Sequence, residues 1–311
     1  MKWKMLSLII ICSLSLCSCS SKAQANNYTA SEAPKSTNTA KSKEVVKTVS
    51  PSSEKAASTA VVNPASSKIS SSVNTDTNLS TKERDWFFQP RTDGTPSGEP
   101  ADVLNIISKH SAYYLGDTSK KIIYLTFDEG YENGYTSKVL DILKEKNVKA
   151  AFFVTTPYIK ADKDLVKRMV DEGHLVCNHT TTHPSMAATA LKGKTSFENE
   201  ITTCADTFKE VTGQEMPKFF RPPMGKYSEL SLKYTEDMGY KSIFWSFAYN
   251  DWDIKNQPTE DYAKRYITAR THPGGIYLLH AVSKTNTSIL PWLIDNWKSQ
   301  GYEFRSLNEL K

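Results

Sequence analysis

The chain has 311 residues, 39% hydrophobic, 11% aromatic and 23% charged, with a formal net charge of +5 from 39 Lys and Arg against 34 Asp and Glu. This hydrophobic content supports a substantial core and excludes a wholly disordered or fibrous chain. The positive surplus is modest and no stretch interleaves basic with aromatic residues, so nucleic acid is not an expected partner, whereas an anionic wall or membrane surface suits the charge.

Residues 1–18 place lysines at positions 2 and 4 ahead of an apolar stretch that is too short and too serine-interrupted for a comfortable bilayer span. They read as an export signal. Its end, Leu16-Cys17-Ser18-Cys19, resembles a bacterial lipoprotein signal, which implies cleavage before Cys19 and a lipid anchor on it; an ordinary signal peptide or an uncleaved anchor is the alternative. Residues 19–82 are Ser, Thr, Ala, Lys and Asn with almost no aromatic residue, a composition that buries too little apolar surface to offset its ordering entropy. They are expected to form a disordered tether. Of five cysteines only Cys177 and Cys204 lie beyond these segments, so no disulfide framework is expected, and the two are read as buried thiols.

Residues 83–118 contain Trp86-Phe87-Phe88, a turn-rich GTPSGEP stretch, then Val103 to Ile107 and Tyr113-Tyr114-Leu115. They read as a collar packed on the rest, with the aromatics serving as core. From residue 119 to the C-terminus the chain alternates. Strands are predicted at 122–128, 149–155, 174–179, 219–222, 242–247, 276–280 and 302–305. Helices are predicted at 135–146, 158–172, 197–211, 228–238, 259–270 and 288–299. Seven strands alternating with helices argue for an α/β fold with a parallel sheet, either open or closed into a barrel. In both forms the functional site lies at the C-terminal strand ends.

Several strand ends carry chemistry. The run IIYLTFDEG drives a β-branched strand into Asp128 and Glu129, adjacent charges that need a cation or a positive side chain to offset them. His179 and His183, in HTTTH, are four residues apart, which on a helical turn puts both imidazoles on one face. Two histidines and a carboxylate form a metal site that can activate water. Arg221 ends another strand, where it could hold Asp128 ionised, and the stiff Pro222-Pro223-Met224-Gly225 loop after it offers backbone N–H groups to an oxyanion. Asp251 is positioned to keep the His280 imidazole protonated, and Trp252 to form an apolar wall. His110, His174 and His272 are assigned structural roles.

TFDEG, HTTTH, RPPMG, NDW and YLLH, in this order, resemble the five motifs of the NodB-type polysaccharide deacetylases, carbohydrate esterase family 4. YENGYTSKVLDILKEK, FWSFAYNDW and HAVSKTN are similar to the PdaA-like branch, whose members form muramic δ-lactam in spore cortex. The resemblance implies a distorted (β/α) barrel, the NodB homology domain, and N-deacetylation of N-acetylmuramic acid in peptidoglycan. It implies Asp128 as base, Arg221 as its orienter, His280 as acid tethered by Asp251, and a divalent metal, zinc in the first instance, on His179, His183 and Glu129. Glu129 departs from the family's aspartate. Trp252, Pro223, Met224 and Tyr227 are the expected substrate contacts. Implied partners are peptidoglycan glycan strands and an N-acetylmuramoyl-L-alanine amidase, and the implied location is the outer face of the membrane or the forespore envelope. The rival readings are an N-acetylglucosamine deacetylase of peptidoglycan or a chitin-like polymer, an esterase of O-acetyl xylan, and a non-catalytic wall-binding lipoprotein.

Overall fold

A computed structural model describes residues 78–310; the export signal, Cys19 and the tether up to residue 77 lie outside them. The collar contributes β1 (Arg84–Asp85), α1 (Ala101–Ile107) and β2 (Ala112–Tyr113). Then come β3 (Ile122–Glu129), α2 (Thr136–Glu145), β4 (Ala151–Val154), α3 (Thr156–Ala161), α4 (Lys163–Asp171) and β5 (Leu175–Asn178). The middle holds α5 (Met186–Ala190), α6 (Lys194–Thr212), β6 (Phe219–Phe220), β7 (Lys226–Tyr227), α7 (Glu229–Asp237) and β8 (Lys241–Ile243). The chain ends with α8 (Glu260–Thr268), β9 (Gly275–His280), α9 (Lys284–Ser299) and β10 (Glu303–Phe304).

All seven expected strands are present and lie in one parallel sheet, paired in the order β10-β3-β4-β5-β6-β8-β2, with β9 also pairing β3 along Ile123 to Asp128. The sheet returns on itself. Beyond β8 the chain runs through a bend at Ser246 to Phe247, which bridges Tyr277 of β9, while Leu115 bridges Gly275. The result is the distorted barrel. Its interior is lined by Tyr124, Phe153, Cys177, Phe219, Ile243 and Ile276. The opposite strand face, with Ile123, Leu125, Phe127, Phe152, Val154 and Val176, packs on the helices. That two-sided burial is why these strands read as continuous apolar runs.

The differences from expectation are local. The helix expected over 158–172 is two helices, because Asp162 (φ −120°, ψ 45°) interrupts it and because Thr155 Oγ1 accepts the Tyr158 amide to start α3 early. The collar does more than pack, since β2 is an edge strand on β8 and β1 pairs with β7. Ordered packing also begins before residue 82, with Leu79 against the cluster around Met186 and Ser80 bonded to Glu229 and Leu230. Cys177 and Cys204 are unpaired buried thiols.

Candidate active site

The C-terminal ends of β3, β5, β6 and β9 converge on one cleft lined by Asp128, His179, His183, Trp252 and His280. Asp128 and His280 are register partners on adjacent strands, so their side chains leave the same face of the sheet side by side.

Asp128 is almost fully buried. Its Oδ1 accepts from Arg221 Nη1 at 2.6 Å, and its Oδ2 lies 3.5 Å from His179 Nε2. Burial alone would raise its pKa, but the Arg221 charge, with His179 and His280, outweighs it and holds the carboxyl below the ordinary range. Arg221 is itself fully buried. Its guanidinium is held by the carbonyls of Ile243 and Phe244 and lies 4.1 Å over the Phe153 ring. A cation so fixed can neither leave nor rotate away from Asp128.

His280 is fixed from behind. Asp251 Oδ1 is 2.7 Å from His280 Nδ1, and its Oδ2 accepts the His280 backbone N–H at 2.9 Å. Burial would push the imidazole pKa down, but Asp251, and then Asp128, lift it above its usual value. Nδ1–H is therefore committed to Asp251, leaving Nε2–H to donate into the cleft. Asp251 is in turn held by Asn286 Nδ2, whose side-chain oxygen accepts from Tyr249 Oη, and by Gln257 on its backbone carbonyl. Asn286 and Gln257 position the acid and were not anticipated as site residues, although Asn286 closes the HAVSKTN stretch.

The histidine pair meets, but not on a helix. Residues 179–184 are a loop, and Thr180 (φ 73°) and His183 (φ 57°) adopt left-handed backbone to bring the rings within 4.9 Å. Met224 (φ 58°) is a third such residue at the cleft. Each costs about 1–3 kcal/mol, and strain of this kind concentrates at functional sites. Gly225 next to it is obligatory, because a Cβ there would come within 2.8 Å of Trp86 and 2.9 Å of the Trp245 ring. The Gly225 and Lys226 amides already donate to the Pro222 and Pro223 carbonyls, which makes the Met224 amide the loop's candidate oxyanion donor.

The expected metal ligand set needs correction at Glu129. Side chains alternate along a strand, so Asp128 enters the barrel and Glu129, like Phe127, faces the helix layer. It is fully buried with neither carboxylate oxygen hydrogen-bonded. Burial and the nearby charges of Glu132, Asp128 and Asp162 push its pKa well up, while neither histidine is among its electrostatic neighbours. Among the described residues no three His, Cys, Asp or Glu side chains group to hold a metal. The two imidazoles nevertheless fit an ion. His179 Nδ1 donates to the Arg221 carbonyl at 2.8 Å, and burial lowers its pKa to about 4, so Nε2 carries a free lone pair beside Asp128. Glu129→Gln is therefore expected to bind zinc within about twofold of the parent protein and, by removing an uncompensated buried acid, to raise stability at pH 8 by on the order of 1 kcal/mol. Calorimetric titration and thermal melts check both; a tenfold loss of affinity would return Glu129 to the ligand set.

Two expected substrate contacts are also relocated. Tyr227 is fully buried, its ring packed with Trp86 and Phe244 where β7 pairs with β1, so it belongs to the core. Pro223 is buried and shapes the loop that presents Met224. Met224 and Trp252 do line the cleft, both about half exposed. Tyr131, which was not anticipated, lines it too. His110, His174 and His272 are buried away from it, His272 held by the Arg270 carbonyl and Ser246.

Residues 115–243 match the polysaccharide deacetylase family. The chain is 42% identical over 225 residues to the peptidoglycan-N-acetylmuramic acid deacetylase PdaA of Bacillus subtilis, covering 72% of this chain and 84% of that one. It is 29% identical over 228 residues to a peptidoglycan-N-acetylglucosamine deacetylase of Bacillus cereus, covering 72% and 79%. The solved structure of B. subtilis PdaA, a family 4 carbohydrate esterase, superposes with a TM-score of 0.71 at 41% identity, covering 74% of this chain and 97% of that one.

Proposed function

This chain belongs to the polysaccharide deacetylase family, and from that membership together with its site geometry we propose that it hydrolyses the acetamide of N-acetylmuramic acid in peptidoglycan. The observation that carries the reading is the pairing of an Asp128 held ionised with a His280 held protonated, side by side at the ends of β3 and β9. Binding alone requires neither state, whereas amide hydrolysis requires both.

Asp128 takes a proton from water as its oxygen attacks the acetamide carbonyl. His280 Nε2–H protonates the amine as the carbon–nitrogen bond breaks, and the Met224 amide is the candidate donor to the developing oxyanion. Before the reaction Arg221 holds the base ionised and Asp251 favours the protonated acid, so the site starts with a proton acceptor and a proton donor side by side. A divalent ion on His179 and His183 would supply Lewis-acid polarisation there. In peptidoglycan whose stem peptide has been removed by an amidase, the freed amine sits on the same ring as the lactyl carboxyl, and its attack there with loss of water closes the muramic δ-lactam of spore cortex. A lipid on Cys19 would hold the domain outside the membrane or at the forespore envelope, and a mature N-terminal fragment without diacylglycerol mass would remove that part of the proposal.

The substrate is tested by mass analysis of muropeptides. Purified protein is expected to deacetylate peptide-stripped glycan and to leave intact peptidoglycan almost untouched, because a stem peptide on the lactyl group competes for the space beside the reacting amide. Acetate release from glucosamine residues alone would replace this reading with the N-acetylglucosamine deacetylase.

A further inference from the structure

The cleft has two compartments that share Asp128, His179, His183, Trp252 and His280. One extends past Met224, Trp245 and Tyr249. The other extends past Tyr131 and Pro157. The reacting pair therefore lies where they join, not at the closed end of a pocket, so a sugar placed there has room for chain on both sides.

Tyr131 is the feature of the second compartment that packing does not explain. It is 50% exposed, and among the described residues it stacks on no other ring and receives no cation. Its loop is nevertheless pinned. Glu132 accepts from both the amide and the hydroxyl of Thr136, and Asn133 Nδ2 donates to the Val282 carbonyl at 2.9 Å, tying the loop after the base strand to the loop after the acid strand. A large, half-exposed aromatic on a fixed loop beside a reactive centre is a ready binding surface, because little loop entropy remains to be lost on contact and an aromatic side chain has few rotatable bonds to order. Trp252, 59% exposed, is the wall common to both compartments.

We propose that Tyr131 is a stacking platform for the sugar adjacent to the one being deacetylated, so that the enzyme acts within glycan chains and reads a neighbour on the Tyr131 side. The proposal rests on the peptidoglycan reading above. An aromatic ring offers the apolar C–H face of a pyranose the kind of contact that fixes position without demanding a particular hydroxyl pattern, which suits a repeating polymer.

The test uses peptide-stripped glycan oligomers of two, four and eight sugars with the intact protein. KM is expected to fall with length in the parent protein. Tyr131→Ala should raise KM on the octasaccharide about tenfold, flatten the length dependence and move kcat far less, while Tyr131→Phe restores the parent behaviour. Equal KM across lengths in the parent protein, or a Tyr131→Ala variant that keeps the length dependence, would overturn the proposal while leaving the deacetylase reading intact. If no oligomer is turned over, that reading fails instead, and calorimetric binding of the octasaccharide to parent and Tyr131→Ala protein decides the platform: a weakening of about tenfold supports it and equal affinity removes it.

Discussion

Asp128→Asn is expected to lower kcat by about 10²–10⁴-fold with the fold retained. Asn keeps an oxygen for the Arg221 hydrogen bond but cannot take the proton from water, so geometry survives and the base is lost. The pH profile of the parent protein should carry the same assignment. Activity rises as pH climbs through the pKa of Asp128, which lies below the ordinary carboxylate value because Arg221 outweighs burial. It falls as pH climbs through the pKa of His280, which lies above the ordinary imidazole value because Asp251 outweighs burial. The plateau between them is therefore wider on both sides than an unperturbed Asp–His pair would give. Asp251→Asn should draw the alkaline limb inward without moving the acidic one. An Asp128→Asn variant within tenfold of the parent protein would take the base away from Asp128.

Arg221→Leu should cost about 3–5 kcal/mol of stability, the usual effect of removing one partner of a buried ion pair. The cost arises because Asp128 is left in the barrel without a cation, and because the Ile243 and Phe244 carbonyls lose their donor. Linkage gives the sign. A carboxyl whose folded pKa is depressed contributes stability that is present above its unfolded pKa and lost as pH falls through the folded value, so the Arg221–Asp128 pair stabilises at neutral pH and ceases to do so in strong acid. The stability gap between parent protein and Arg221→Leu should therefore narrow as the pH is lowered. The double variant Asp128→Asn/Arg221→Leu should recover part of the loss, since it removes the stranded charge, yet it should recover no activity. Chemical denaturation across pH provides the measurement, and a single variant within 1 kcal/mol of the parent protein at pH 7 would show that the pair does not hold the site together.

These two residues also mark what was legible in the chain. Asp128, Arg221 and His280 each stand at the C-terminal end of an apolar run, with Asp251 in the loop that follows another, and parallel sheets bring such ends to a single edge. Local pattern therefore determined the seven core strands, the order of the motifs along them and the edge at which chemistry would lie. The short pieces β1, β2 and β7 left no such signal. They are two residues long and exist because the aromatic cluster of Trp86, Tyr227 and Phe244 forms between segments far apart in sequence. The interruption at Asp162 was equally silent, because the apolar spacing continues across it.

What only the tertiary structure decided was direction. Asp128 and Glu129 are neighbours in sequence, yet the pleat of β3 sends one into the barrel beside His280 and the other into the helix layer beneath Glu132 and Asp162. His179 and His183 meet through two left-handed residues, not through a helical turn, a conformation that composition does not announce. Tyr227 and Tyr131 show the same limit from opposite sides, one a motif-adjacent tyrosine claimed by the core and the other an unremarked tyrosine left at the cleft. A sequence specifies residue types at strand ends, and that sufficed to indicate a site that activates water, while the reaction itself was indicated by the resemblance of its five motifs to the polysaccharide deacetylases. Which side chains share the cavity depends on pleat, register and closure of the sheet, properties set by contacts between residues about 150 positions apart, such as Asp128 and His280.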